Sequence, residues 1–235
     1  LVKSSAASDV YKRQVYALVR TSGEDTTALL KKRIPAWIDG LQGKRFMRWG
    51  EGERRFSRPV RWLVSLYGSE LIPVALPETQ PPVHSGRFSR PHRLFETSLE
   101  IQHADTYFES QARAGVMVDR PQRERLIRSV LAEEAASCSA TIDCPEGLFQ
   151  ELVDLVESPR VLSGEIADCY LDLPPEVIVT VMQSHQRYVP LKKNKAHQDP
   201  LALQARDVLL SKFLLVSNGL ASADLNVVRG NERVL

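Results

Sequence analysis

Amphipathic segments of helical period alternate irregularly with short extended runs, and this mixture limits the possible folds more than any other feature of the sequence. The helical period predicts helices at 25–42, 105–114, 121–131, 146–157 and 174–185. Extended apolar patterns predict a hairpin at 60–76, turning at Gly68-Ser69, and strands at 160–166 and 213–219. Because at least one hairpin is antiparallel, we predict an α+β fold with mixed or antiparallel sheets and several amphipathic helices.

Turn-rich and atypical segments divide the chain. A Pro-rich polar stretch at 77–86 predicts a loop or linker between a subdomain at 15–76 and an α+β domain at 87–221. The opening 1–14 has no clear period, so we interpret it as non-native or disordered. The sequence has no initiator Met, and 222–235 is predicted to start a helix leading into missing C-terminal domains. We therefore expect a fragment of a longer protein.

Composition excludes several classes of protein. The chain has 235 residues, of which 43% are hydrophobic and 26% charged, which is ordinary for a globular protein. No apolar run approaches the roughly 20 residues of a membrane span, and no secretory signal is present. Three widely spaced cysteines, Cys138, Cys144 and Cys169, form no CxxC motif. We expect a cytoplasmic protein without membrane contact.

Two arginine-rich runs are candidates for nucleic-acid binding. Residues 44–61 contain seven lysines and arginines against two glutamates, and the second run is 87-RFSRPHR-93. Guanidinium groups pair with phosphates and stack on bases, and aromatic residues are interleaved in both runs. The alternative is a solvated strand face whose aromatics belong to the core. The candidate tRNA-binding residues are Arg45, Arg48, Arg58, Arg87, Arg90 and Arg93.

The stretch 173-LPPEVIVTVMQSHQRYVPL-191 places four polar residues where a core helix ends. Pro175 and Glu176 favour a helix start, and Pro190 favours extended backbone at the following end. We predict that His185 closes the buried stripe, that Arg187 caps helix carbonyls, and that Tyr188 buries its ring. Loss of His185 should then cost about 1–3 kcal/mol. Its neighbour Gln186 belongs to the same structural joint.

Motifs for catalysis are missing from the sequence. There is no Gly-rich phosphate loop, no HExxH and no GxSxG. We therefore assign no catalytic residues and no metal ligands. The alternative is that His185 and its neighbours line a hydrolytic pocket.

Five blocks in order carry a resemblance to a known family. They are 47-MRWGEGERRFSRPVRWLVSLYG-68, 89-SRPHR-93, 173-LPPEVIVTVMQSHQRYVP-190, 216-VSNG-219 and 229-RGNERVL-235. In this order they resemble the β subunit of bacterial-type glycyl-tRNA synthetase, especially its cyanobacterial members. Pro91 and Ser89 depart from the family's T-R-G-H-R run. The last block adds Asn231, Glu232 and Arg233 to the structural motif.

The resemblance implies a role in charging tRNA(Gly). It implies an α2β2 tetramer in which the α subunit binds ATP, Mg²⁺ and glycine, whereas the β subunit binds tRNA and supports assembly. This chain would then hold no cofactor and would be inactive alone. Residues 87–221 would resemble a domain of the phenylalanyl-tRNA synthetase β subunit. The alternatives are a non-catalytic assembly module, or a proofreading domain, although a glycine-sized site has little need of proofreading.

Overall fold

The computed structural model describes most of the chain. Its described residues are 3–9, 12–19, 22–95, 98–194 and 203–235, with the backbone alone described at 3–9 and 12–18. Contacts divide the chain into two units, unit 1 (Leu1–Arg87) and unit 2 (Phe88–Leu235). Helices and several small sheets, mostly antiparallel, give the α+β class that the sequence predicted.

The helices in the described part are α1 (Thr26–Gly40), α2 (Tyr107–Arg113), α3 (Arg120–Ser137), α4 (Glu146–Leu155), α5 (Pro175–Thr180), α6 (Ala205–Val208) and α7 (Asp224–Glu232). The strands of unit 1 are β1 (Lys3–Asp9), β2 (Lys12–Leu18), β3 (Met47–Arg48), β4 (Arg55–Phe56), β5 (Leu63–Val64), β6 (Leu66–Tyr67), β7 (Glu70–Leu71), β8 (Ala75–Leu76) and β9 (Val83–Gly86). Those of unit 2 are β10 (Phe88–Ser89), β11 (Leu99–Glu100), β12 (Ala140–Ile142), β13 (Pro159–Glu165), β14 (Val189–Lys193) and β15 (Leu209–Asn218). None of the helices in the described ranges has the length and apolar character needed to cross a membrane.

Unit 1 begins with a two-stranded hairpin, which is followed by a helix on the surface. Strands β1 and β2 pair antiparallel, although the sequence predicted no regular structure at 1–14. Helix α1 starts where the Asp25 carboxylate accepts the Ala28 N–H at 3.0 Å. It contains no buried residue, and Trp37 is 59% exposed. The apolar period that predicted this helix therefore does not bury any of its residues fully.

The rest of unit 1 is built from very short strands. Strands β5, β9 and β8 form a mixed sheet, parallel between β5 and β9 and antiparallel between β9 and β8. The predicted hairpin is confirmed as β6–β7, with Gly68 at φ +57° in its turn. The segment 77–86 was predicted as a loop or linker, but it contains β9 and buried Thr79. The Thr79 hydroxyl donates to Leu76 O and accepts the Val83 N–H, which ties this segment into unit 1.

Unit 2 is organised around one antiparallel sheet. Its strand order is β12-β14-β15-β13, and the longest pairing joins β13 to β15 over seven residues. Neighbouring residues of β15 point to opposite faces: Leu214 joins one apolar cluster, whereas Phe213 and Leu215 join another. The sheet therefore lies between two cores, one containing Ile127 of α3 and the other Ile178 of α5.

One sequence prediction in unit 2 needs correction. The last strand begins at Leu209 rather than at Phe213. Residues 116–119, whose sequence VMVD is typical of a short extended run, pair with no strand in the described part of the chain, and the Met117 N–H donates to Glu157 O at 2.8 Å. The sequence 192-KKNKAHQD-199 is typical of a basic polar loop. Residues 195–199 lie outside the described residues, and 192–193 end strand β14.

Candidate nucleic-acid interface and helix joint

The candidate arginines of unit 1 differ in how far the protein already engages them. Arg45 and Arg58 are exposed. Arg48 pairs with Glu53 at 2.8 Å on an exposed surface, where an ion pair contributes little stability. The Arg87 guanidinium donates to the carbonyl of Ser69. Arg45 and Arg58 therefore fit a phosphate contact better than Arg87 does.

Arg54 was not singled out by the sequence, yet it has the most protein contacts of this run. Its side chain is only 9% exposed and pairs with Asp39 of α1 and with Glu78, the latter at 2.8 Å. The hydrogen bond from Arg54 lowers the pKa of Glu78. Burial opposes the charge of Arg54, but the bonds to Glu78 and Asp39 prevail and raise its pKa. Arg54 thus connects α1 to Glu78 within unit 1. It lines a groove of about 700 Å³ together with Lys44 and Arg55.

The candidate arginines of unit 2 lie on a segment in which exposed and buried side chains are interspersed. Arg90 and Arg93 are exposed, whereas Ser89 and His92 are 4% and 1% exposed. The Ser89 hydroxyl accepts the side-chain amide of buried Gln111 at 2.7 Å. The fold therefore presents the two arginines to solvent and anchors the segment through Ser89 and His92.

His92 is the deeper of these anchors. Its N–H donates to Ala114 O at 2.9 Å, and its carbonyl accepts the Phe95 N–H at 2.8 Å. Its Nε2 has no hydrogen-bond partner within the described ranges and lies 3.8 Å from a carboxylate oxygen of Glu157. Gly115, at φ +76°, allows this packing, because an added Cβ would lie 2.6 Å from the Phe95 ring.

Exposed apolar side chains accompany Arg90 and Arg93. Phe88 is 58% exposed, Leu94 45% and Phe95 40%. The alternative in which the aromatics of the basic runs belong to the core is therefore wrong for Phe88. It fits Phe46 and Phe56 of unit 1 better, since both are partly buried with ring centroids 5.0 Å apart.

The helix joint of unit 2 contains a turn that the sequence did not reveal. Helix α5 continues into a π-helical turn, Val181–Gln186, and Arg187 follows in the left-handed conformation at φ +61°. A π-turn bonds residue i to i+5 instead of i+4, so the side chains within it advance by a smaller angle per residue than in an α-helix. Met182 is fully buried, but His185 is turned to solvent and is exposed. The prediction that His185 closes the buried stripe is wrong for this reason.

The predictions for Arg187 and Tyr188 are confirmed. Arg187 donates to the carbonyls of Gln183, at 3.3 Å, and Ser184, and its Nε lies 2.9 Å from Glu151. Tyr188 is 3% exposed and stacks on Phe213 at 4.6 Å between centroids, and burial raises the pKa of its hydroxyl. At this joint, Arg187 therefore provides hydrogen bonds to the carbonyls of the helix end, and the Tyr188 ring packs into the core.

Comparison with known proteins identifies the family. The family model described as "Glycyl-tRNA synthetase beta subunit" matches residues 2–235. The chain belongs to this family. Among curated relatives, the glycine–tRNA ligase beta subunits of Trichodesmium erythraeum and Gloeothece citriformis are 39% and 36% identical over 94% of the chain. That of Bacillus subtilis is 34% identical over 97% of the chain.

The chain spans only part of these family members. It covers 30% of the Trichodesmium erythraeum and Gloeothece citriformis relatives and 32% of the Bacillus subtilis relative. The resemblance read from five sequence blocks is confirmed, including its cyanobacterial members.

Two of the family-like blocks meet in space. The Tyr188 hydroxyl donates to Asn231 Oδ1 at 2.6 Å, and the Asn231 side-chain amide donates to Val227 O at 2.6 Å. Glu232 accepts the backbone N–H of Glu165 at 2.9 Å, while Arg233 is exposed. Asn231 and Glu232 therefore connect α7 to Tyr188 and to β13. In the described part of the chain, no group of three or more His, Cys, Asp or Glu residues is placed to hold a metal ion.

Proposed function

We propose that this part of the β subunit contributes tRNA(Gly) binding and subunit assembly to a glycine–tRNA ligase. The ligase would be a cytoplasmic α2β2 tetramer whose α subunit binds ATP, Mg²⁺ and glycine. The family match over residues 2–235 is the observation that carries the proposal. The charging of tRNA(Gly) is then a property of the tetramer, to which this chain supplies binding surfaces.

The tRNA-binding part of the proposal rests on arginines that the fold leaves exposed. These are Arg45 and Arg58 of unit 1 and Arg90 and Arg93 of unit 2. Arginine binds phosphate through several donors at once. Each phosphate contact releases counterions from the RNA, so the proposal predicts a binding affinity that falls with salt concentration.

The test uses the whole tetramer and labelled tRNA(Gly). We expect the double variants Arg45→Ala/Arg58→Ala and Arg90→Ala/Arg93→Ala each to weaken binding and to flatten the log–log salt dependence by about 0.7–0.9 per lost contact. Arg125→Ala is the matched control, since Arg125 is an exposed arginine on α3 with its side chain 72% accessible. Unchanged slopes in both double variants would show that the arginines serve protein contacts instead.

A second test separates binding from catalysis. The chain alone should give no glycine-dependent pyrophosphate exchange, because its sequence lacks a phosphate-binding loop. Exchange should appear when the complete β subunit is combined with the α subunit. Robust exchange by the chain alone would contradict this division of labour between the subunits.

A further inference from the structure

We propose that the segment Phe88–Phe95 of unit 2 binds unpaired nucleotides of the tRNA, with Phe88 stacking on a base while Arg90 and Arg93 contact the adjoining phosphates. This inference rests on the proposed tRNA binding and narrows it to one element and one kind of RNA. Its basis is a short segment whose exposed aromatic and arginine side chains are held by the buried residues Ser89 and His92.

Exposed and buried side chains are interspersed along this segment. Strand β10 ends at Ser89, which is buried against Gln111, and its neighbours on both sides, Phe88 and Arg90, are exposed. Phe88 is 58% exposed in spite of its apolar ring, and Arg90 is exposed beside it. An exposed aromatic next to an arginine is the combination that stacks a base and pairs its phosphate.

The buried residues Ser89 and His92 hold the exposed side chains of this segment in place. Ser89 is bonded to Gln111, and His92 is bonded through its backbone to Ala114 and Phe95. Gly115 lets the Phe95 ring and the Cβ of His92 approach its backbone closely. A segment fixed in this way loses little conformational entropy when it binds, so its few side chains can contribute fully to affinity.

The charge and shape of the segment favour single-stranded RNA over a duplex. The sequence 88-FSRPHRLF-95 contains no acidic residue. A duplex offers phosphates to arginine but hides the faces of its bases, so Phe88 would gain nothing from it. Unpaired bases expose their faces, and stacking on an aromatic side chain is tolerant of sequence.

The experiment compares two RNA probes on the whole tetramer at one salt concentration. The probes are a single-stranded oligoribonucleotide and a blunt duplex with the same number of phosphates. We expect Phe88→Leu to weaken single-strand binding about 5-fold or more, with duplex binding unchanged, because base stacking is lost. Phe88→Trp should restore the single-strand preference. Tyr170→Leu is the control, since Tyr170 is an aromatic residue of unit 2 that is 40% exposed outside this segment.

The outcomes separate this inference from the function on which it rests. If Arg90→Ala/Arg93→Ala weakens tRNA binding but Phe88→Leu leaves the ratio of the two affinities unchanged, the stacking inference fails and tRNA binding stands. If neither variant changes tRNA affinity, tRNA binding at this segment fails as well. If Phe88→Leu instead releases the α subunit in gel filtration, with RNA affinities unchanged, the segment is a protein contact and the inference is overturned.

Discussion

Unit 1 and unit 2 have similar patterns of apolar residues in the sequence but very different interiors. In unit 2 one sheet is packed on both faces, and residues such as Ile127 and Phe213 are fully buried. In unit 1 the helix α1 buries no residue, and most strands in the described part are two residues long. Amphipathic period alone therefore does not decide whether a helix finds a core.

In its described part, unit 1 buries only a few apolar side chains, which are Ile72, Val74, Leu76 and Val83, and polar contacts connect its other parts. Arg54 connects α1 to Glu78, and the Ser85 hydroxyl donates to Ile72 O and accepts the Val74 N–H, both at 2.8 Å. Such contacts depend on charge and solvent, whereas apolar burial in unit 2 depends on area removed from water. We therefore expect unit 1 to respond to pH and salt and unit 2 to respond to truncation of its core.

The largest effect is expected from Phe213→Ala in unit 2. Phe213 is fully buried, stacks on Tyr188 and fills the space above Gly164, so its loss leaves a cavity. We predict a loss of about 3–5 kcal/mol in the free energy of unfolding. Hydrogen exchange of the β13 and β15 amides measures it. Phe108→Ala, at a residue 59% exposed, is the control, and an equal effect there would contradict a core-driven unit 2.

Tyr188→Phe should have an intermediate effect in the same unit. It removes the hydroxyl that donates to Asn231 and leaves that oxygen unpaired, which should cost about 1–2 kcal/mol. Burial raises the pKa of Tyr188 above its ordinary 10.0, so the folded state holds this proton more tightly than the unfolded state. The hydroxyl's contribution is complete below pH 10.0 and is lost at higher pH.

Unfolding measured over a series of pH values tests this direction. Wild type and Tyr188→Phe should differ most below pH 10.0, and the difference in unfolding free energy should narrow as pH rises further. Tyr170→Phe serves as the control, because the Tyr170 ring is 40% exposed. A difference that stays constant across this range would mean that Tyr188 ionises equally in the folded and unfolded states.

Local signals in the sequence explain which parts of the fold could be predicted. Helix α4 was expected at 146–157 and is found at Glu146–Leu155. Its apolar period and the prolines on either side of it are local signals, so the sequence alone reveals them. The capping by Arg187 and the burial of Tyr188 were also predicted, because the helix end and Pro190 are adjacent in sequence.

The failures have a different origin. The π-turn adds one residue without any signature in sequence, and it turned His185 outward. The partners of Tyr188 and Arg54 lie far along the chain, at Asn231 and Glu78, and are chosen by tertiary packing. From the sequence, the arginines at 44–61 look alike, although Arg54 pairs with Asp39 and Glu78 and its side chain is only 9% exposed.

Arg54→Ala tests the polar contacts that stabilise unit 1. Removing the guanidinium breaks the bonds to Asp39 and Glu78 but leaves both carboxylates in water, so we predict a loss of about 1–2 kcal/mol. Tryptophan fluorescence isolates unit 1, since Trp37, Trp49 and Trp62 all belong to it. Arg48→Ala is the control, because its pair with Glu53 is exposed.

Lowering the pH should weaken the same contact between Arg54 and Glu78. The bond from Arg54 lowers the pKa of Glu78 below its ordinary 4.5, so the stabilisation is present above pH 4.5 and is lost as pH falls through the lower folded value. Wild-type unit 1 should therefore lose stability relative to Arg54→Ala in that acid range. Parallel curves for the two proteins would show that Glu78 does not depend on Arg54.

The smallest effect is expected from Trp37→Ala in α1. The indole is 59% exposed, so its truncation removes little buried area and should change the unfolding free energy of unit 1 by less than about 0.5 kcal/mol. Fluorescence from Trp49 and Trp62 remains to follow the transition. The comparison with Phe213→Ala is between two large aromatics, one on a surface helix and one in a two-sided core. A loss of several kcal/mol at Trp37 would mean that α1 packs its apolar stripe in solution, and the contrast between the two units would fail.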